Sequence, residues 1–379
     1  MQLKKILFLT GTRADFGKLK SLIQITTLTK EFEAHIFATG MHLSYIHGYT
    51  VEEIEKCGYK NILRYVNHTE SCSMDQILAK TIQGFSECIR ALKPDLIVIH
   101  GDRVEALAGA ISGALNNILV AHIEGGEISG TIDELIRHAV SKMSHIHFVA
   151  NDIAARRLIQ MGELQENIFV IGSPDIDAML SPNLPSIQSV KQRYEIHFDE
   201  YGIAMFHPVT TEFEHMEQYA KQFVDALLLS NDNLVVIFPN NDLGYTYILD
   251  QYVRLKGKSN IKIFPSIRFE YFVVLLKYSK YIIGNSSAGI REAPYYGIPT
   301  INVGTRQNNR ALSQGIINSS YSTESIASAT ELAKISEIQK VDLFGDGNSD
   351  KKFIKILTEK SFWNIEKQKQ FNEVKLHNA

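Results

Sequence analysis

Cysteine is scarce in this chain: three among 379 residues, Cys57, Cys72 and Cys88, with no C-x-x-C pair. An odd set without metal-site spacing supports neither a disulfide framework nor a zinc ribbon, and it fits a reducing cytosol. Long apolar runs are also missing. No window approaches the roughly 20 apolar residues of a membrane span. Lys4 and Lys5 precede an apolar run at 6–9, as in a secretory leader. That run is too short for a leader, and polar Thr10, Thr12, Arg13 and Asp15 follow at once. Nor does one sign of charge dominate. A net charge of -3 gives no field that would draw the protein to nucleic acid or acidic lipid. Internal repeats and low-complexity tracts are absent. The expectation is a cytoplasmic protein with no nucleic-acid or membrane partner.

What is present is an ordinary globular composition, with 45% apolar residues. At roughly 100–200 residues per domain the length suggests two domains. Short apolar runs at 5–10, 34–39, 96–100, 118–122, 146–150 and 168–171 read as strands. Amphipathic stretches at 18–28, 74–92, 104–114, 133–142 and 153–160 read as helices between them. Strands apolar on both faces, each followed by a helix, predict a parallel sheet with right-handed crossovers. Pro182, Pro185 and three nearby serines mark a break. The alternation then restarts, with strands at 202–206, 234–238, 261–264, 281–284 and 300–303. Helices are expected at 212–229, 245–255, 269–277 and 289–296. The reading is an α/β chain of two doubly wound domains facing across a cleft: 1–180, a linker at 181–200, then 201–350. A helical tail follows at 351–379, with Trp363 as a packing anchor. Ligands of such sheets lie at the carboxyl ends of the strands.

The charged and glycine-rich motifs do follow strands. Gly11-Thr12-Arg13-Ala14-Asp15-Phe16-Gly17-Lys18 resembles a phosphate loop but departs from it twice. Five residues separate its glycines instead of four, and Leu19 stands where a Ser or Thr would meet magnesium. Arg13 and Lys18 beside a helix start suit an anion; a plain strand-to-helix turn is the alternative. His100-Gly101-Asp102-Arg103 ends another strand, with Asp102 either a site carboxylate or a helix cap. His122-Ile123-Glu124-Gly125-Gly126-Glu127 follows the next one, where the glycines let a ligand approach Glu124. Asp133, Glu134, Arg137 and His138 open the helix after it. Asp133 and Arg137 are four apart and share a face. Acidic residues also favour helix N-termini for purely structural reasons.

In the second half, Phe206-His207-Pro208-Val209-Thr210-Thr211 follows a strand. Pro208 restricts His207 to extended backbone at the strand end. Gly284-Asn285-Ser286-Ser287-Ala288-Gly289-Ile290-Arg291-Glu292 offers hydroxyls and N–H groups that suit a diphosphate. Glu292, one turn into the helix, is within reach of ribose hydroxyls. Arg306, in Gly304-Thr305-Arg306-Gln307, adds positive charge. His100, His122, His145 and His147 invite a metal reading, but no H-x-x-x-H pair or cysteine accompanies them. No metal and no cofactor are expected.

Together the stretches GTRADFGKLK, HGDRVEALAGA, HIEGGEISGTIDELIRHAVSKMSHIH, FHPVTTE, FPSIRFEYF and GNSSAGIREAPYYGIPTINVGTRQNNR closely resemble the hydrolysing UDP-N-acetylglucosamine 2-epimerases of bacterial sialic-acid synthesis. The resemblance runs from Gly11 to Arg310. It implies a GT-B architecture, with UDP held mainly by the second domain, and a homodimer. It implies Asp102, Glu124 and Asp133 as catalytic carboxylates and His207 as the active-site histidine. Arg13 and Lys18 match loop cations; Ser286, Ser287 and Glu292 match diphosphate and ribose contacts. Glu134 stands where relatives often carry Asp. Enzymes acting on UDP-N,N'-diacetylbacillosamine share these motifs, and GT-B glycosyltransferases share the fold.

Overall fold

Every strand pairing is parallel, and the inner strands, such as Leu96–His100 and Leu119–Ile123, bury both faces, as their largely apolar sequences require. The structure is a computed structural model that describes residues 3–67, 72–129, 132–308 and 315–373. The chain forms two compact units. The first holds Met1–Glu127, Asp133–Ser181 and Leu343–Ala379; the second holds Ile128–Ile132 and Pro182–Asp342.

The first unit contains β1 (Lys4–Thr10), β2 (Phe32–Ala38), β3 (Ile62–Arg64), β4 (Leu96–His100), β5 (Leu119–Ile123), β6 (Ile146–Val149) and β7 (Ile168–Val170). Their order across the sheet is β3-β2-β1-β4-β5-β6-β7. That is the doubly wound order, and the winding reverses between β1 and β4. Phe8, Leu19, Leu22 and Phe148 fill its core. The second unit contains β8 (Gly202–Met205), β9 (Leu234–Ile237), β10 (Ile261–Phe264), β11 (Ile282–Gly284), β12 (Thr300–Val303) and β13 (Ile316–Ser319). Its order, β10-β9-β8-β11-β12-β13, reverses between β8 and β11. Phe206 stacks on Phe223 in its core, with ring centroids 4.6 Å apart.

Several boundaries differ from expectation. The first helix runs over Arg13–Leu28, five residues earlier than expected at its start. Thr12 caps it, its hydroxyl accepting the Asp15 N–H, and the Asp15 carboxylate accepts the Thr12 N–H to complete a capping box. The stretch 181–200, read as a linker, holds the helix Ile187–Arg193, and its Tyr194 packs edge-on against Phe264. The helix expected over 289–296 is broken into Ala288–Arg291 and Ala293–Tyr296. Pro294 has no N–H to donate and crowds the preceding turn, so Glu292 sits at the joint. The tail is helical only over Ser349–Thr358, followed by a short 3-10 turn at Lys360–Asn364. Positions 374–379 lie outside the described residues, as do Gly130, Thr131, Asn309 and Arg310 of the quoted motifs. Trp363 packs on Phe32 and Phe362 and donates its indole N–H to the Leu357 carbonyl at 2.9 Å. Among the described residues no helix is long and apolar enough to cross a membrane.

Candidate active site

In a doubly wound sheet the strands flanking the reversal leave a crevice at their carboxyl ends. In the first unit β1 and β4 flank it, so Gly11–Lys18 and Asp102 fall there by topology alone. Glu124 follows neighbouring β5, and Asp133 lies in the first turn of the next helix, Ile132–Met143. Three acidic residues thus come from adjacent elements at one sheet edge.

Each is held differently. The Asp102 carboxylate is ion-paired with Arg137, whose guanidinium is buried and also donates to the Glu127 carbonyl at 3.1 Å. Arg137 stands one turn beyond Asp133, so a single helix face presents both. Glu124 has a left-handed backbone, φ +65°, uncommon for a residue with a side chain. Its N–H bonds the Phe148 carbonyl at 2.9 Å, and its carboxylate lies between His100 Nε2, at 3.1 Å, and the hydroxyl of Ser173. Glu124 is only 5% exposed and Asp133 7%. Glu134, the neighbour of Asp133, faces His138 at 3.5 Å.

His122 lies beneath this edge, fully buried. Its Nε2 donates to the Gly101 carbonyl at 2.8 Å and its Nδ1 meets the Ser141 hydroxyl at 3.0 Å. Burial holds its pKa down to about 3, so the ring is neutral and structural. Among the described residues no group of three or more His, Cys, Asp or Glu side chains is arranged to hold a metal ion.

The Gly11 loop differs from an open phosphate cradle. Asp15 takes the N–H groups of Gly11 and Thr12, at 2.9 and 3.0 Å. Arg13 pairs with Glu53 at 2.6 Å, and Lys18 with the buried Asp175 at 2.8 Å. The loop's own carboxylate therefore occupies amides that an incoming anion would need.

In the second unit Asn285 is the hub. Gly284, at the end of β11, has φ +131°, and a Cβ there would collide with the Met205 carbonyl. This close approach brings the Asn285 side chain against the end of β8. Its Oδ1 accepts the His207 N–H at 2.7 Å and its Nδ2 donates to the His207 carbonyl at 2.8 Å. The Asn240 N–H donates to His207 Nδ1 at 3.0 Å, so a neutral imidazole carries its proton on Nε2. The Asn285 carbonyl in turn accepts from Arg306 Nη1 at 3.2 Å and Gln307 Nε2 at 2.8 Å. Ser286 and Ser287 are half-buried at the next turn, and Glu292 is buried. The structure thus gathers His207, Ser286, Ser287 and Arg306 around one asparagine. The sequence marks that asparagine only as a candidate helix cap, not as the partner of His207. It gives no sign of Ser173 and Asp175, whose contacts cross 49 and 157 residues of chain and leave no local spacing to read.

The chain as a whole resembles known proteins. The UDP-N-acetylglucosamine 2-epimerase family profile matches residues 26–358. A UDP-N-acetylglucosamine 2-epimerase of Neisseria meningitidis serogroup B is 47% identical, covering 99% of this chain and 100% of that protein. A hydrolysing UDP-N,N'-diacetylbacillosamine 2-epimerase of Legionella pneumophila is 32% identical over 94% of this chain and 96% of its own. Among solved structures, the Methanocaldococcus jannaschii UDP-GlcNAc 2-epimerase in complex with UDP-GlcNAc and UDP aligns with a TM-score of 0.80. It covers 93% of this chain and 99% of its own at 23% identity, a likeness that shows the two-Rossmann, GT-B-like α/β fold.

Proposed function

The chain belongs to the UDP-N-acetylglucosamine 2-epimerase family, and from that premise we propose that it is a hydrolysing 2-epimerase, converting UDP-N-acetylglucosamine and water to N-acetylmannosamine and UDP. The observation that carries the proposal is the set of fixed carboxylates at the edge of the first sheet: Asp102 on Arg137, Glu124 between His100 and Ser173, and buried Asp133.

The chemistry explains the need for them. The C2 hydrogen has no adjacent carbonyl and is barely acidic. Departure of UDP from C1, with the C1–O electron pair, puts oxocarbenium charge beside C2 and makes that hydrogen removable. One carboxylate takes the proton, the C1–C2 double bond forms, and the product is 2-acetamidoglucal. Water then adds its hydroxyl to C1, and a proton returns to C2 from the opposite face, giving the manno sugar. One proton leaves, one returns and one water is consumed. A positioned acid or base contributes roughly 10²–10⁴-fold to such a step.

The second unit suits the leaving group. Ser286, Ser287 and Arg306 are assigned to the diphosphate, Glu292 to the ribose, and His207 to a leaving-group oxygen through its Nε2 proton. Arg13 and Lys18 add positive charge at the first sheet's edge, each already balanced by a carboxylate. The same reading assigns the enzyme the first step of sialic-acid synthesis, in the cytosol and as a homodimer. UDP-N,N'-diacetylbacillosamine is the second substrate to assay, since a relative named for it is 32% identical against 47% for the N-acetylglucosamine relative.

The test is an NMR time course in D2O on both sugars. Free UDP should appear one-for-one with N-acetylmannosamine carrying deuterium at C2. UDP-N-acetylmannosamine without free UDP would make the enzyme non-hydrolysing. Sugar released with hydrogen retained at C2 would indicate a transferase or simple hydrolase.

A further inference from the structure

Residues 365–373 form an irregular strap along the first unit, at the end of the helix Ile132–Met143 remote from Asp133. Its anchors are one backbone carbonyl, at Lys367, and two side chains, at Lys369 and Phe371. The Lys367 carbonyl meets His145 Nε2 at 3.0 Å. The Lys369 ammonium donates to the carbonyls of Ser141, Lys142 and Ser144 at 2.9, 2.9 and 2.6 Å. Phe371 covers Gly162 and lies 5.4 Å from the Lys142 ammonium. A recess of about 450 Å³, lined in part by Glu163, Asn167, Ser361 and Lys369, lies beside the strap. Phe371 is itself 70% exposed, so polar anchors contribute much of what holds the segment.

Lys369 occupies a particular place. The last carbonyls of a helix have no partner within it, and a cation there is favoured by the helix dipole. The helix concerned is Ile132–Met143, which carries Asp133 and Arg137 at its other end. The Lys369 side chain is 21% exposed, so part of its hydration is replaced by protein partners. Glu163 offsets the charge at 2.5 Å and is itself gripped by Lys142 at 2.8 Å and His147 at 2.9 Å. The helix is a stiff rod rising about 1.5 Å per residue, so a shift at its last turn reaches its first.

We infer that Lys369 is a positioning residue: through the last carbonyls of this helix it fixes where Asp133 and Arg137 stand relative to Asp102. The inference rests on the assignment of those carboxylates to the reaction. Misplacing reacting groups by an ångström from a distance costs up to about 100-fold in rate.

The experiment compares Lys369→Met, Lys369→Arg, Lys367→Met and Asp133→Asn in the full-length enzyme. It follows UDP release, melting temperature and amide exchange over 139–143. Lys369→Met should lower kcat roughly tenfold with KM within about twofold, and speed exchange in the last turn. Lys369→Arg should recover most of the turnover, because a guanidinium also donates to several carbonyls. Lys367→Met should match the parent, since only the backbone of Lys367 is used. A lower melting temperature with unchanged kcat in Lys369→Met would make the lysine merely structural and overturn the inference. So would an arginine variant no better than methionine. If Asp133→Asn itself leaves turnover intact, the carboxylate assignment fails instead; if it abolishes turnover while Lys369→Met is silent, only the positioning role fails.

Discussion

A carboxylate that works on a proton has to be fixed without being consumed by its neighbours, and Glu124 shows how this is arranged. Its left-handed backbone turns the side chain back toward His100 and Ser173. Strained backbone of this kind persists only where surrounding contacts over-determine it. Both partners can adjust to an amide, Ser173 by rotating its hydroxyl and His100 by changing tautomer. Glu124→Gln should therefore fold normally and lose proton transfer alone, with kcat down roughly 10²–10⁴-fold and a melting temperature close to the parent. Turnover within tenfold of the parent would remove Glu124 from the mechanism. Gly284 makes the opposite case at the same scale. Its φ of +131° and its contact with the Met205 carbonyl admit no Cβ, so Gly284→Ala should destabilise the second unit by several kcal/mol. Soluble yield and melting temperature check this, and near-parent stability would contradict the close approach of β11 to β8.

Elements show which parts of the chain could be read in advance. Strands β4, β5 and β9 are buried along their whole length and appear in sequence as apolar runs, closed by His100 in β4 and interrupted only by His122 in β5. The edge strand β3 is three residues long with Leu63 45% exposed, and β13 ends in Asn318 and Ser319; neither bears that signature. Beyond Asn364 the tail is held by the Lys367 carbonyl and the Lys369 ammonium, contacts that hydrophobic periodicity does not report. The Gly11 loop is legible in sequence as a turn after a strand, but its chemistry is not, because nothing in the local spacing marks Asp15 as the acceptor of the loop's own amides. The Asp15 carboxylate is an internal substitute for an anion, closing the amides of Gly11 and Thr12 while Thr12 caps the helix. Asp15→Ala should lower the unfolding free energy by about 1–3 kcal/mol, as loss of a cap and of charge-assisted bonds would. Were the loop the phosphate cradle, the same change would free two amides and tighten UDP. The expected titration instead shows UDP affinity no stronger than the parent's, and a marked gain would restore the cradle reading.

At the scale of the whole molecule, the first unit has placed titratable groups where only one protonation state is tolerated. His42, between the Thr10 and Thr50 hydroxyls, is held by burial at a pKa of about 4, and His122 at about 3, against 6.5 in an open chain. Glu163 feels burial pushing its pKa up, but His147, Lys369 and Lys142 outweigh it and bring it down to about 2. Between pH 6.5 and the folded-state values the unfolded chain binds more protons at both histidines than the native one. Unfolding free energy therefore rises with pH across that window and is lost on acidification. Glu163 acts in the same direction lower down: its contribution is full above pH 4.5 and disappears toward pH 2. Each histidine adds a slope approaching about 1.4 kcal/mol per pH unit. The sole tryptophan makes this measurable for one unit alone. Trp363 packs within the first unit, so its fluorescence during urea unfolding follows that unit whatever the second one does. Between pH 7 and pH 5 the fluorescence midpoint should fall steeply. His122→Asn, which removes one proton-binding site from the unfolded chain, should start less stable and then lose less per pH unit. A parent midpoint that stays level over that interval would mean the buried rings accept protons without opening the fold, and the neutral, structural role given to His122 would have to be abandoned.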